Sequence, residues 1–198
     1  MSSQLTTSEE GPVSRGSSVA ASAGLGVFAA AFGYLVTYLL IGSEVREADE
    51  DIATWKGVAW YFYEAHMVDI EASSQAGSFS GTDILNLIAE SSSSSADLLY
   101  VLPPLALFAV GAFLAMRWDV TALDEAVIAG APVTIGYVVI MGLGAIVAET
   151  TTEWSAFGIE ATSTIGPALL PAIVLGGILY PLIFATAGAA ITAAVNTR

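Results

Sequence analysis

Residues 19–41, VAASAGLGVFAAAFGYLVTYLLI, decide the fold class. No charged residue occurs between Gly16 and Ser43. About 20 apolar residues, rising ~1.5 Å each, cross a hydrocarbon core ~30 Å thick, so Val19–Ile41 is long enough to span a bilayer. A secretory signal has an apolar region of about 7–15 residues behind a basic start; this stretch is longer and only weakly basic at its head. The reading is an integral membrane protein from its first helix onward.

Composition agrees. Hydrophobic residues make up 55% of the 198, and 12% are charged, where a soluble chain averages about 25%. Nineteen acids stand against five bases, with one lysine, Lys56, and no cysteine. Without cysteine there are no disulfides, thiolate metal sites or thiol nucleophiles. A net charge of −14 argues against nucleic acid or anionic lipid as partners, since both need clustered Lys and Arg. The richness in Ala, Gly, Val and Thr beside this acidic excess looks like proteins of salt-loving archaea.

Further along, residues 1–18 are polar, small and aperiodic, and read as a disordered cytoplasmic tail. Residues 42–97 form an acidic outer loop, opening with SEVREADED and holding an aromatic interfacial segment at 52–71. Within that loop SSQAGSFSG reads as a turn-rich connection. Thr82 is placed to cap a short helix, DILNLIAE, with Asp83 in its first turn. SSSSS at 91–95 reads as a flexible linker. The second span is 98–116, with Pro103–Pro104 expected to kink or break it. A short connection leads to the third span, 126–148, with Pro132 in its first turns. Residues 149–164 form a second outer loop. The last span is one long helix, 166–195, with Pro167 near its start and bends expected at Pro171 and Pro181.

Four spans place both termini on one side. Arg15, Arg117 and Arg198 then share that side, which the positive-inside rule assigns to the cytoplasm. Eleven acids fall in 43–97 and three in 149–160, so the outer face is strongly negative.

The most individual stretch is WKGVAWYFYEAHMVDIE, residues 55–71. Tyr and Trp favour the membrane–water boundary, and Lys56 and Glu64 prevent this stretch from spanning. It reads as a helix or a strand that anchors the loop at the bilayer or plugs the top of the bundle. The alternative is a ligand or partner surface lined by Trp55, Trp60, Phe62, Tyr63, His66 and Asp69. On a helix His66, the only histidine, shares a face with Asp69 and less well with Phe62 and Ile70; on a strand it shares one with Glu64 and Val68. No repeated His/Glu spacing supports a metal site. The G-x-S-x-G elbow of a serine hydrolase is absent. The acids Glu44–Asp51 lack the D-x-D-x-D-G order of a calcium loop.

Together with its four-span layout, this aromatic–His stretch resembles a group of uncharacterised haloarchaeal four-span membrane proteins, some loosely labelled as transporters. The resemblance implies a membrane location and supplies no catalytic residue.

None of the four spans holds an Asp, Glu, Lys, Arg or His, which speaks against a proton-coupled carrier working alone. Small residues recur at four-residue spacing, among them Gly26, Gly33, Gly176 and Ala189, and such positions pack membrane helices closely. The expectation is therefore an all-α membrane protein. It is a four-transmembrane-helix bundle with an acidic extracellular loop after the first helix. Its surroundings are the lipid bilayer and a second copy or another membrane protein, with no cofactor, metal or nucleic acid. The function class is a non-enzymatic structural, interaction or transport-accessory subunit. The competing class is a small oligomeric transporter or channel with a neutral path.

Overall fold

The computed structural model describes residues 15–48, 51–91, 93–156 and 159–197. Four segments, Ser17–Ala48, Ala96–Arg117, Leu123–Ala148 and Leu169–Asn196, are long and apolar enough to cross a membrane. Their outward faces stay apolar: Leu39, Leu143 and Leu170 are all more than half exposed. The disordered-tail reading for 1–18 lies outside the described residues as far as Ser14. From Arg15 the chain is already helical, and α1 runs to Ala48.

A helix α2, Thr54–Glu64, follows. Strands β1 (Ile70–Ala76) and β2 (Phe79–Leu85) then form a hairpin around Gly77–Ser78. Gly77 has φ 59°, the left-handed conformation that a tight two-residue hairpin turn requires. The hairpin corrects two expectations at once. SSQAGSFSG is strand, turn and strand, and Thr82 and Asp83 pair with Ser73 and Ala72 rather than open a helix. Only the four residues of α3, Leu87–Glu90, are helical there.

Nor is the serine run a free linker. Ser91 Oγ donates to Glu44 Oε1 at 2.5 Å. The backbone N–H groups of Ser93 and Ser95 donate to Ser91 Oγ and Ser93 Oγ at 3.0 and 3.3 Å. These short side chains substitute for missing backbone partners, as Ser does in turns.

A 3₁₀ turn, Ala96–Tyr100, leads into α4, Leu102–Arg117. Pro103 and Pro104 stand in its first turn, where no intrahelical N–H is needed, so they start this helix instead of kinking it. The third segment is broken: α5 covers Leu123–Gly130 and α6 covers Val133–Ala148. Pro132 at the junction cannot donate and clashes with the preceding turn. The Ala129 carbonyl beside the break accepts from Ser22 Oγ at 3.0 Å instead.

Strands β3 (Thr150–Ala156) and β4 (Ile159–Pro167) follow. The last segment starts as α7 (Leu169–Pro171), widens into a π-helical stretch at Ala172–Leu179, and ends as α8 (Tyr180–Asn196). It starts later than the expected Gly166, because Gly166 and Pro167 belong to β4. Pro171 and Pro181 bracket the widened stretch, as helix irregularities commonly follow from prolines and π-turns.

The chain is mostly helical, but not all-α. All four strands join in one antiparallel sheet of order β2-β1-β4-β3, so the two acidic loops are a single structure. Thr82, Ser73, Thr164 and Thr151 form one row across it. Their hydroxyls pair at 3.2 Å on both sides, Ser73 with Thr82 and Thr151 with Thr164. Cross-strand hydroxyl pairs of this kind stabilise a sheet by fractions of a kcal/mol each, on the order of 0.2–1.

Glycine sets the helix contacts. A Cβ at Gly26 would strike the Val133 carbonyl, and one at Gly136 the Ala23 carbonyl, which ties α1 to α6. Equivalent contacts, Gly111 with Ala185 O and Gly188 with Phe108 O, tie α4 to α8. Ala189 is fully buried in this core. Such backbone-to-backbone approach is how apolar helices gain dispersion energy where no hydrophobic driving force separates them from lipid.

Candidate functional site

The aromatic stretch that the sequence left as helix or strand is a helix that turns back into the bundle. Its descent is traced by its contacts on α6. Lys56 Nζ donates to Glu149 O at 2.6 Å, Trp60 Nε1 to Ala148 O at 3.0 Å, and Tyr63 Oη to Met141 O at 2.6 Å. His66 Nε2 lies 2.7 Å from Tyr137 Oη. From 149 to 137 along a helix is about 18 Å. The contacts on α1 retreat in parallel, from Val45 against Gly57 to Gly33, where a Cβ would lie 3.2 Å from the Phe62 ring.

Physical reasons for this insertion are local. The last carbonyls of α6 have no intrahelical partner and carry the negative end of the helix dipole. The Trp60 N–H and the Lys56 ammonium satisfy two of them. Gly57 and Gly144 leave room for Val45 and for the Tyr63 hydroxyl, since a Cβ on either would collide with them. Trp60, Phe62 and Tyr63 are each 3–4% exposed. They are core residues, not an interfacial belt. Trp55 differs: it stays 44% exposed, with Lys56 Nζ 5.6 Å from its ring centroid, and its carbonyl accepts from Tyr34 Oη at 3.0 Å.

The helix ends in a Schellman arrangement. Met67 N donates to Glu64 O at 2.8 Å and Val68 N to Tyr63 O at 3.2 Å. Met67 takes the left-handed position, with φ 58°, where glycine is the usual residue. This turn drives His66 inward and leaves Met67 outside.

His66 is fully buried. Its Nδ1 lies 2.7 Å from the Phe62 carbonyl, which can only accept, so Nδ1 carries the proton and Nε2 accepts from Tyr137 Oη. Both ring nitrogens are thus engaged in the neutral form. Burial lowers its pKa to about 4, outweighing the Phe62 carbonyl, which pulls the other way. The ring is enclosed by other rings: Phe62 at 4.6 Å, Tyr180 at 5.1 Å and Tyr137 at 5.7 Å between centroids. Gly176, in the π-helical stretch, makes the space: a Cβ there would collide with Met141 Cε and lie 3.5 Å from His66 Cβ.

Asp69 is not part of this cluster. It is exposed, and its carbonyl accepts from Ala168 N at 2.9 Å. Among the described residues no three His, Cys, Asp or Glu side chains are grouped to hold a metal ion. Glu64 is the site residue that sequence reasoning passed over. It is 9% exposed and accepts from Ile88 N at 3.1 Å. Burial raises its pKa, opposed by the N–H groups of Ile88 and Leu87. Tyr137 stands with Thr134 as one of the few polar groups in an apolar span, and nothing in its spacing points to a histidine 71 positions earlier.

Fold and site together define a class: a four-segment helical protein of membrane-spanning proportions, filled at one end by a short helix that turns back into the bundle and crowned by a four-stranded sheet. The chain belongs to a family described as "Family of unknown function (DUF7978)", whose profile matches residues 1–196. No curated protein and no solved structure matches it.

Proposed function

We propose that this chain is a non-enzymatic, multi-pass component of the cell membrane, serving as a structural or interaction subunit or as an accessory part of a transport system. The observation that carries the reading is the seating of α2. Where a path through the bundle would open towards the sheet, the space is filled by Trp60, Phe62, Tyr63 and the His66–Tyr137 pair. Their polar atoms are spent on helix carbonyls and on each other. In this reading the termini are cytoplasmic and the sheet stands outside, in keeping with the placement of Arg15, Arg117 and Arg198. The acidic sheet and loops suit a salty exterior, and a second copy or another membrane protein is the natural lateral partner.

One observation favours a second reading, a small oligomeric transporter with a neutral path. The broken third segment and the π-helical stretch of the fourth face each other, with Gly177 against Val138 beside the histidine. Irregular helices at such a place often serve function.

Reconstitution separates the two. The purified chain in liposomes is expected to pass glycerol, urea and potassium no faster than protein-free vesicles. Solute flux by the wild type that rises in Trp60→Ala would refute the closed-interior reading and support the second. Orientation is tested on intact cells in this cysteine-free chain: Ser80→Cys and Ser155→Cys are expected to react with an impermeant thiol reagent, and Thr121→Cys is not.

A further inference from the structure

The sheet carries a cleft that the plugged bundle does not explain. Phe79 pairs with Ala76, Ala76 with Ala161, and Ala161 with Trp154, so the four side chains form one row on one face. Two large rings therefore stand on the two edge strands, with small residues between them. Three inter-strand spacings separate those strands, about 14 Å. Phe79 and Trp154 are 81% and 58% exposed. The next row towards the bundle holds Gly81, Ser74, Ser163 and Thr152. Phe79 and Trp154 both line a cleft of about 360 Å³ over this floor, within the usual range of ligand sites.

We propose that this cleft binds a neutral, unbranched oligosaccharide. The charge pattern selects the ligand class. Acids crowd the rest of the sheet and its loops, yet no residue lining the cleft is ionisable. On the face of the two rings its lining is the Ser74 and Ser163 hydroxyls, two alanines, a glycine and the rings, while Gln75, Ser80 and Thr162 alternate to the other face. A pyranose ring presents apolar C–H faces and hydroxyl edges. The faces stack on aromatic rings, whose electron-rich surfaces attract C–H groups, and the edges match the serine hydroxyls, which both donate and accept. A protein partner would need a contiguous patch of about 800 Å², whereas here the apolar surface is a single row of four side chains, Phe79, Ala76, Ala161 and Trp154. A peptide strand would pair along the β2 or β3 edge, not lie on the face. The row lies six residues beyond Ile70, about 20 Å from where the sheet meets the bundle, so the rings do not anchor the chain in its own bilayer. The inference holds whether or not the interior conducts.

The test uses the full chain in lipid nanodiscs, with cellohexaose, chitohexaose and mannohexaose as probes, read by calorimetry and saturation-transfer NMR. At least one probe is expected to bind, with Trp154→Ala and Phe79→Ala each weakening it tenfold or more. Gly81→Val fills the floor, where a Cβ meets Ser74 Oγ at an ordinary 3.8 Å, and is expected to abolish binding. Trp154→Phe retains a ring and is expected to retain binding; the β-sheet circular dichroism of each variant reports folding. Failure of all three probes, or binding untouched by Trp154→Ala and Gly81→Val in folded protein, would overturn the proposal. So would tighter binding of the acidic hexagalacturonate than of every neutral probe.

Discussion

Acidification should loosen this protein through one residue. His66 lies in the connection between the first and second long segments and is held neutral, its pKa lowered from about 6.5 to about 4 by burial. Folding thus requires the neutral ring, while the unfolded chain binds a proton below about pH 6.5. Between pH 4 and 6.5 the unfolded state holds more protons, so stability rises with pH. The contribution is fully present above pH 6.5 and lost as pH falls towards 4. At about 1.4 kcal/mol per pH unit the loss amounts to roughly 3 kcal/mol. Carboxylates titrate in the same window, and Glu64, whose pKa is raised, contributes with the opposite sign. The informative quantity is therefore the difference between wild type and His66→Gln. Reversible unfolding in mixed micelles, followed by tryptophan fluorescence at pH 7 and pH 4, is expected to show a smaller acid loss in His66→Gln. Tyr137→Phe supplies the second arm. It strands Nε2 in a fully buried place, at a cost of about 1–3 kcal/mol, and pairing it with His66→Leu should recover part of that, because the stranded ring nitrogen goes too; the recovery stays partial because the Phe62 carbonyl loses its Nδ1–H donor. Parallel pH curves for wild type and His66→Gln, together with a neutral Tyr137→Phe, would refute the buried-pair reasoning.

Met67→Gly is expected to stabilise the fold by about 1 kcal/mol, because φ 58° is free for glycine and strained for methionine; thermal unfolding in detergent checks it, and a loss of stability would mean that the exposed side chain packs in the membrane. Gly111→Ala is expected to cost about 1–3 kcal/mol, since the new Cβ meets the Ala185 carbonyl and α4 and α8 must part. Gly24→Ala is its control: nothing lies within 4 Å of the added Cβ, so it should gain up to about 1 kcal/mol from helix propensity. Equal effects at the two sites would show that helix approach does not matter.

What could be read from the residues alone is what depends on neighbours in the chain. Val19–Ile41 declares a long apolar helix because bilayer thickness sets a length, and length is a local property. The other three long segments follow by the same arithmetic, and their small residues announce close packing. Pro132 breaks the third segment for an equally local reason, the missing N–H, although that span was expected to be continuous. Tertiary structure decided everything that needs a distant partner. A Ser- and Thr-rich stretch reads as loop until Ser73 finds Thr164, about ninety positions later, and the hydrogen bonds of a central strand are shared with both neighbours. The depth of α2 was likewise hidden. Adjacent rings at 60–63 point in different directions on an isolated helix, and only an environment that surrounds the helix, with the carbonyl end of α6 to receive its donors, makes them core. His66 and Tyr137 met because a left-handed turn at Met67 and a missing side chain at Gly176 left one polar place in an apolar interior, and a buried ring nitrogen must find a partner there.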